Sequence, residues 1–200
     1  AAEMLFTARW SIQKAKEWSL PWCAAKCDLA KAFDSVRHDA VARLCENRNV
    51  PTPYTVALMR EITGIQLQFA LGQVQTQRQT CMLKGLRQGS AESALLFAAV
   101  LEEALKPVFE KWDSQCVGLH FPPDGRTKPA RTVLLHHLIF ADDLILWAAD
   151  SRQLEGMITD VIQAISLAGL KLNAAKTQWM PGPLLDPSIV CIEVEASLLH

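Results

Sequence analysis

Near the start of the chain, apolar residues recur at three- and four-residue intervals: Leu5, Ala8, Ile12, Ala15 and Trp18. That spacing predicts an amphipathic helix, broken by Pro21. Trp22 to Asp28 is short, apolar and cysteine-bearing, as a buried strand would be. Helical periodicity returns over Asp39–Asn47 and again after Pro51 and Pro53, until Gly64. Ile65, Leu67, Phe69 and Leu71 alternate with Gln66, Gln68 and Ala70, which predicts a strand that turns at Gly72-Gln73 into a partner near Val74–Met82. A glycine-bearing loop, Lys84–Ser90, precedes a long helix over Glu92–Trp112. Gly118–Pro129 holds three prolines and two glycines and reads as an exposed loop. Thr132–Ala149 is two apolar runs flanking Asp142-Asp143, a hairpin with acids at its tip. Ser151 is placed to cap the next helix, which ends at Gly169. Lys171–Met180 is short and mixed, and Ile189–Val194 suits a last strand.

Helices alternating with antiparallel hairpins predict an α+β fold, an antiparallel sheet backed by helices. A chain of 200 residues, half of them hydrophobic and 20% charged, can build one core. A net charge of -1 and a pI near 6.6 give no general basic footprint for nucleic acid. The charge is uneven, however. Lys84, Arg87, Arg126, Lys128 and Arg131 sit in or beside loops, whereas Glu102, Glu103, Asp142 and Asp143 cluster acids. Six cysteines form no CxxC pair and no Cys/His zinc spacing, so reduced, mostly buried thiols in an intracellular protein are expected, with nucleus or cytoplasm left open. The longest charge-free apolar run, Ser93–Leu101, is too short to cross a bilayer, and no membrane partner is expected. The chain opens on Ala rather than Met, without a basic segment and cleavage site, which fits a fragment.

Two acidic sites stand out because each interrupts an apolar stretch. Asp28 closes the predicted buried strand, and Asp142-Asp143 separates Leu138–Ala141 from Leu144–Trp147. Carboxylates so placed are costly unless paired or metal-bound, and adjacent acids repel unless a cation offsets them. Taken singly, each also reads as a strand end or a solvated turn.

Together with their neighbours they say more. Cys27-Asp28-Leu29-Ala30-Lys31-Ala32-Phe33-Asp34 resembles the first catalytic motif of reverse transcriptases, especially those of non-LTR retrotransposons and group II introns. Gly85-Leu86-Arg87-Gln88-Gly89-Ser90, then Ser93 and Leu95-Leu96-Phe97, resembles their second motif. Phe140-Ala141-Asp142-Asp143 resembles the third, and Gly169-Leu170-Lys171-Leu172-Asn173 with Lys176-Thr177 the fourth. The motifs follow the family's order over roughly residues 1–180.

The resemblance implies the palm of a right-hand polymerase with fingers and thumb incomplete. It divides the chain into a connecting helix at the end of the fingers (1–24), the palm (25–185) and a truncated approach to the primer grip (186–200). It implies two magnesium ions, for which manganese can substitute, held by Asp28, Asp142, Asp143 and the Leu29 carbonyl. Asp143 ranks after Asp142 as a ligand, since neighbouring residues rarely aim at one point. Phe33 would exclude a 2'-hydroxyl, although an apolar Phe also serves as plain core. Gln88 and Gly89 would meet the incoming nucleotide, and Arg87 and Ser90 the template or primer. Lys176 would neutralise or protonate the departing pyrophosphate, or be a surface lysine. Lys31 is expected in a structural ion pair. His136 and His137 are expected to alternate on one strand, at most one facing inward, both structural. The implied partners are an RNA template, a DNA or RNA primer and deoxynucleoside triphosphates.

One stretch departs from the family. Its usual Pro-Leu-Ser-Pro after the second-motif Gly-Ser is replaced by Ala91-Glu92-Ser93-Ala94, which places an acid beside the expected nucleotide loop. Three readings remain open: a non-LTR polymerase, a group II intron-type reverse transcriptase, and an inactive relic that at most binds RNA. With fingers and thumb incomplete, the isolated chain is expected to be nearly inactive.

Overall fold

The periodic start forms α1 (Ala2–Glu17). It closes where Leu20 N–H reaches back to the Ala15 carbonyl at 2.8 Å and Ser19 turns left-handed. After Pro21 come β1 (Cys23–Cys27), a single helical turn α2 (Ala32–Ser35), α3 (His38–Asn47) and α4 (Thr52–Ile62). Four two-residue strands follow: β2 (Gln66–Leu67), β3 (Ala70–Leu71), β4 (Val74–Gln75) and β5 (Thr80–Cys81). They pair β2 with β5 and β3 with β4, the expected antiparallel hairpin. Then come α5 (Ala91–Gln115), β6 (Leu119–Phe121), β7 (Val133–Leu135), β8 (His137–Phe140), β9 (Asp143–Ala148), α6 (Ser151–Ser166) and β10 (Gln178–Pro181). The computed structural model describes residues 2–67, 70–71, 74–75, 80–122 and 132–185. The Gly72-Gln73 turn, Arg126, Lys128, Arg131, the strand expected at Ile189–Val194 and Cys191 lie outside the described residues.

The main sheet has the order β10-β1-β9-β8, antiparallel throughout. Cys23, Ala25 and Cys27 of β1, with Leu144, Leu146 and Ala148 of β9, face a core supplied by α3, α5 and α6, including Val41, Leu44, Phe97, Leu101, Leu105, Ile158 and Ile165. Ala24 and Trp147 face the other way, onto Ala15, Trp22, Leu119 and Phe121. β1 is therefore covered on both faces along Cys23–Ala25, which explains why it reads as a mostly apolar run rather than an alternation, with Lys26 its one exposed residue. Each large aliphatic side chain so buried contributes about 1.5–3 kcal/mol. α5 and α6 are also joined by Trp112 Nε1–H and the Lys111 ammonium, both donating to Asp160 at 2.8–2.9 Å. Arg48 on the residue after α3 pairs with Glu102 and Glu103 of α5, giving that acidic cluster a structural use.

Four sequence expectations are corrected. The loop expected from Gly118 begins instead with β6, whose Leu119 and Phe121 are buried; three residues ahead of a Pro pair are too few to show a period. The cap of α6 is Asp150, whose side chain accepts from Gln153 N–H at 2.8 Å, and Ser151 is already helical. His136 and His137 do not alternate. The strand breaks at His136, between β7 and β8, and both rings pack toward Phe109 of α5. Asp113 accepts from His136 Nε2–H at 3.1 Å, which leaves His136 Nδ1 to accept from His137 Nδ1–H at 2.6 Å. Burial, and then neighbouring His136, lowers the His137 pKa to about 4 against the opposing pull of Asp113. Finally, Lys31 makes no ion pair among the described residues; its left-handed backbone (φ 48°) turns the chain into α2.

Candidate active site

Asp28 is the first residue beyond β1, and Asp143 is the first residue of β9. The two strands pair up to Cys27 opposite Leu144, so both acids stand one step past the last pair, at the same end of the sheet. Asp142 lies in the two-residue turn between β8 and β9, closed by the Phe140–Asp143 pair. In that turn Ala141 adopts φ 54°, in the left-handed region. The structure thus brings Asp28, Asp142 and Asp143 to one rim. The Asp28 side chain is only 25% exposed, whereas Asp142 is exposed.

Two lysines answer these acids. Lys26, two residues before Asp28 and so on the same strand face, places Nζ 2.9 Å from Asp143 Oδ1. That hydrogen bond and the Asp143 charge, with smaller help from Asp28 and Asp142, raise the Lys26 pKa. Lys176 Nζ lies 3.7 Å from Asp28 Oδ2. The fourth-motif segment underpins this end of β1: Asn173 N–H donates to the Asp28 carbonyl and Ala30 N–H to the Lys171 carbonyl, at 2.8 Å each. The Leu29 carbonyl accepts no hydrogen bond from the described residues. Among the described residues no three His, Cys, Asp or Glu side chains converge as a ready metal cage. The donors present are nonetheless all hard oxygens, and two carboxylates with a carbonyl suit an ion that keeps water and substrate oxygens for its other positions.

The second-motif loop docks on α2. Gly85 N–H donates to the Val36 carbonyl at 2.7 Å, Leu86 N–H to the Phe33 carbonyl at 2.8 Å, and His38 Nε2–H to the Gly85 carbonyl at 2.9 Å. Leu86 is buried beneath it. Gly85 has φ 95° and no room for a Cβ, which would meet the Asp34 carbonyl oxygen at 2.9 Å. Gln88 Nε2 donates to Asp34 Oδ1 at 3.3 Å, and Arg87, Gln88 and Gly89 are exposed. Phe33 is half-buried against Phe97, ring centres 4.9 Å apart, so one face of it is core. The Ser90 hydroxyl shares a hydrogen bond with Ser93 at 2.6 Å. Glu92 has a lowered pKa, from hydrogen bonds to its own backbone N–H and to Ser90. The departure from the family's pattern therefore serves the start of α5, where an acid suits the helix dipole.

Residues 3–185 match the family described as reverse transcriptase (RNA-dependent DNA polymerase). The chain belongs to the reverse transcriptase family. Members of this family generally use divalent metal ions. The chain is 26% identical over 166 residues to the retrovirus-related Pol polyprotein from type-1 retrotransposable element R2 of Popillia japonica, covering 83% of this chain and 22% of that one. It is 24% identical over 176 residues to the corresponding polyprotein from type-2 element R2DM of Drosophila melanogaster, covering 88% and 15%. The chain thus spans about a fifth of the length of these curated relatives. Candida tropicalis telomerase in complex with a TWJ fragment of telomeric RNA superposes with a TM-score of 0.64 at 15% identity, over 92% of this chain and 29% of that one. The apo form truncated from its C-terminal domain gives 0.60 at 16%, over 92% and 35%. These structures share the fold, a palm-type polymerase plan of helices on an antiparallel sheet.

Motif reading missed Lys26, Asp34, His38 and Leu86. Lys26 carried a signal, its i−2 spacing from Asp28 on a strand. Asp34 and His38 act through side-chain hydrogen bonds and Leu86 through packing, all between distant segments, which leave no local pattern.

Proposed function

We propose that this chain is the palm of an RNA-directed DNA polymerase from a non-LTR retroelement, transferring deoxynucleotides from their triphosphates to a primer 3'-hydroxyl on an RNA template. The observation that carries this reading is the placement of Asp28 and the Asp142-Asp143 turn at one end of neighbouring strands, in a chain matching the family over residues 3–185. Two magnesium ions, or manganese in their place, would be held by Asp28, Asp142, Asp143 and the Leu29 carbonyl. They would supply an activated 3'-hydroxyl and a stabilised leaving group. The protein's own part is positional. Asn173 and Lys171 hold the backbone around Asp28. The loop over α2 presents Gln88 and Gly89 to the nucleotide and Arg87 and Ser90 to the template or primer, while Phe33 bounds the sugar. Lys176, 3.7 Å from Asp28, is placed to meet the departing pyrophosphate. An intracellular setting goes with the buried, reduced Cys23, Cys27 and Cys45.

The test is primer extension on an RNA template, in the longest reading frame that contains the chain. Incorporation should require a divalent ion and fall about a hundredfold or more in Asp142→Asn. Extension that survives both Asp28→Asn and Asp142→Asn refutes the reading.

A further inference from the structure

The resting charge balance of the acidic rim points to a role for Lys26. Asp28, Asp142 and Asp143 sit together, and two ammonium groups answer them, Lys176 at Asp28 and Lys26 at Asp143. The two lysines are mounted differently. Lys176 lies in a turn after Asn173 and is 70% exposed. Lys26 belongs to a central strand, its backbone paired with Ile145 on one side and Gln178 on the other. Its backbone cannot withdraw, so only its side chain can leave the carboxylate. That side chain is 52% exposed and its partner Asp143 45%, so both can be rehydrated when the pair opens. Exposed ion pairs of this kind are weak and readily exchanged. Nζ at 2.9 Å also occupies one oxygen of Asp143 and sets a positive charge against a divalent ion approaching that carboxylate.

We propose that Lys26 is a tethered competitor for metal at Asp143: it holds that carboxylate in the metal-free site, gives way when the ion arrives, and so sets the ion concentration at which the site fills. This rests on the proposed reading of the rim as a metal site, with Asp28 and Asp142 as its principal carboxylates and Asp143 as a further ligand. It also gives the two acids of the turn different duties. Asp142 has no lysine within ion-pair distance among the described residues and is free to receive an ion first. Asp143 is engaged only by exchange.

The experiment is a Mn2+ titration of the chain, following the free-ion signal by electron paramagnetic resonance, so that no turnover is needed. Lys26→Met should tighten binding about fivefold or more, since it removes both the competing contact and a nearby like charge. Lys26→Arg, which retains the contact, should stay within about twofold of the parent. Lys31→Met, which removes a charge three residues along the chain from Asp28 that makes no ion pair among the described residues, should do the same. In an Asp143→Asn background the effect of Lys26→Met should largely disappear, as coupled residues require. Unchanged or weaker binding in Lys26→Met overturns the proposal, as does the absence of Mn2+ binding in parent and variant alike. An undiminished gain in the Asp143→Asn background overturns it too, because the effect would then be one of net charge. Asp28→Asn and Asp142→Asn report separately on the underlying reading. If both bind Mn2+ as the parent does, the metal-site reading is wrong; if both lose it while Lys26→Met shows no gain, only the competitor role fails.

Discussion

Gly85→Ala isolates the seam between the second-motif loop and α2. Gly85 has φ 95°, where an L-residue costs about 1–2 kcal/mol. An added Cβ would also lie 2.9 Å from the Asp34 carbonyl oxygen, 3.0 Å from its Cα and 2.9 Å from the Met82 Cε. The methionine tip can swing aside; the Asp34 backbone cannot without moving α2. That movement strains the hydrogen bonds from Gly85 N–H to Val36 and from Leu86 N–H to Phe33, each worth about 1 kcal/mol net. The total is about 2–4 kcal/mol, or roughly 5–15 °C in melting temperature for a chain of this size. Gly89 provides an internal control. Its φ is 89°, but nothing lies within 4 Å of an added Cβ, so Gly89→Ala should incur only the backbone strain. Urea unfolding followed by circular dichroism, at unchanged m, should show Gly85→Ala less stable than Gly89→Ala by about 2 kcal/mol. Equal losses would mean that the loop is not seated on α2 and that the first and second motifs are not coupled through it.

Asp150→Ala should destabilise the chain by about 1 kcal/mol while Ser151→Ala changes stability by less than about 0.5, measured in the same unfolding assay; the reverse order would restore Ser151 as the cap. His137 has a folded pKa near 4, below its ordinary 6.5, so between these values the unfolded chain binds more protons. Stability from this group is therefore present above pH 6.5 and is lost as pH falls toward 4, by up to about 3 kcal/mol. Melting curves from pH 7 to 4 should show a shallower loss in His137→Phe, and parallel curves would refute the assignment. Phe33→Val, in the longest reading frame containing the chain, should raise ribonucleotide incorporation relative to deoxyribonucleotide and lower stability by about 1–3 kcal/mol. A stability loss with discrimination intact would leave Phe33 as core packing against Phe97 alone.

Much of the architecture was legible from local signals: α1 from its three- and four-residue spacing, α6 from the capping and glycine signals at its ends, and the hairpin around Asp142 from two apolar runs flanking the acids. β1 was legible as an apolar run too short for a helix. The three acids were legible because charge inside apolar strands demands an explanation. β6 was not, because three residues cannot establish a period. Asp150 and Ser151 are both capping residues, and only geometry chooses between neighbours. The His136–His137 arrangement depends on a strand break that composition does not encode. The ion pair of Lys26 needed the register of two strands distant in sequence, although its spacing from Asp28 was visible throughout.

The left-handed alanine at the acidic turn carries a consequence for anyone seeking sturdier variants. A glycine at Ala141 would relax the backbone by about 1 kcal/mol, a gain available through a single substitution. It would also widen the range of conformations open to the turn that carries Asp142. A library screened for heat tolerance alone would enrich Ala141→Gly and select a slacker tip along with it. If the proposed polymerase function holds, a library screened for faithful copying would reject the same variant. Placed on such a corner, an ordinary alanine is a tensioning device, and its merit shows only when the assay rewards aim as well as endurance.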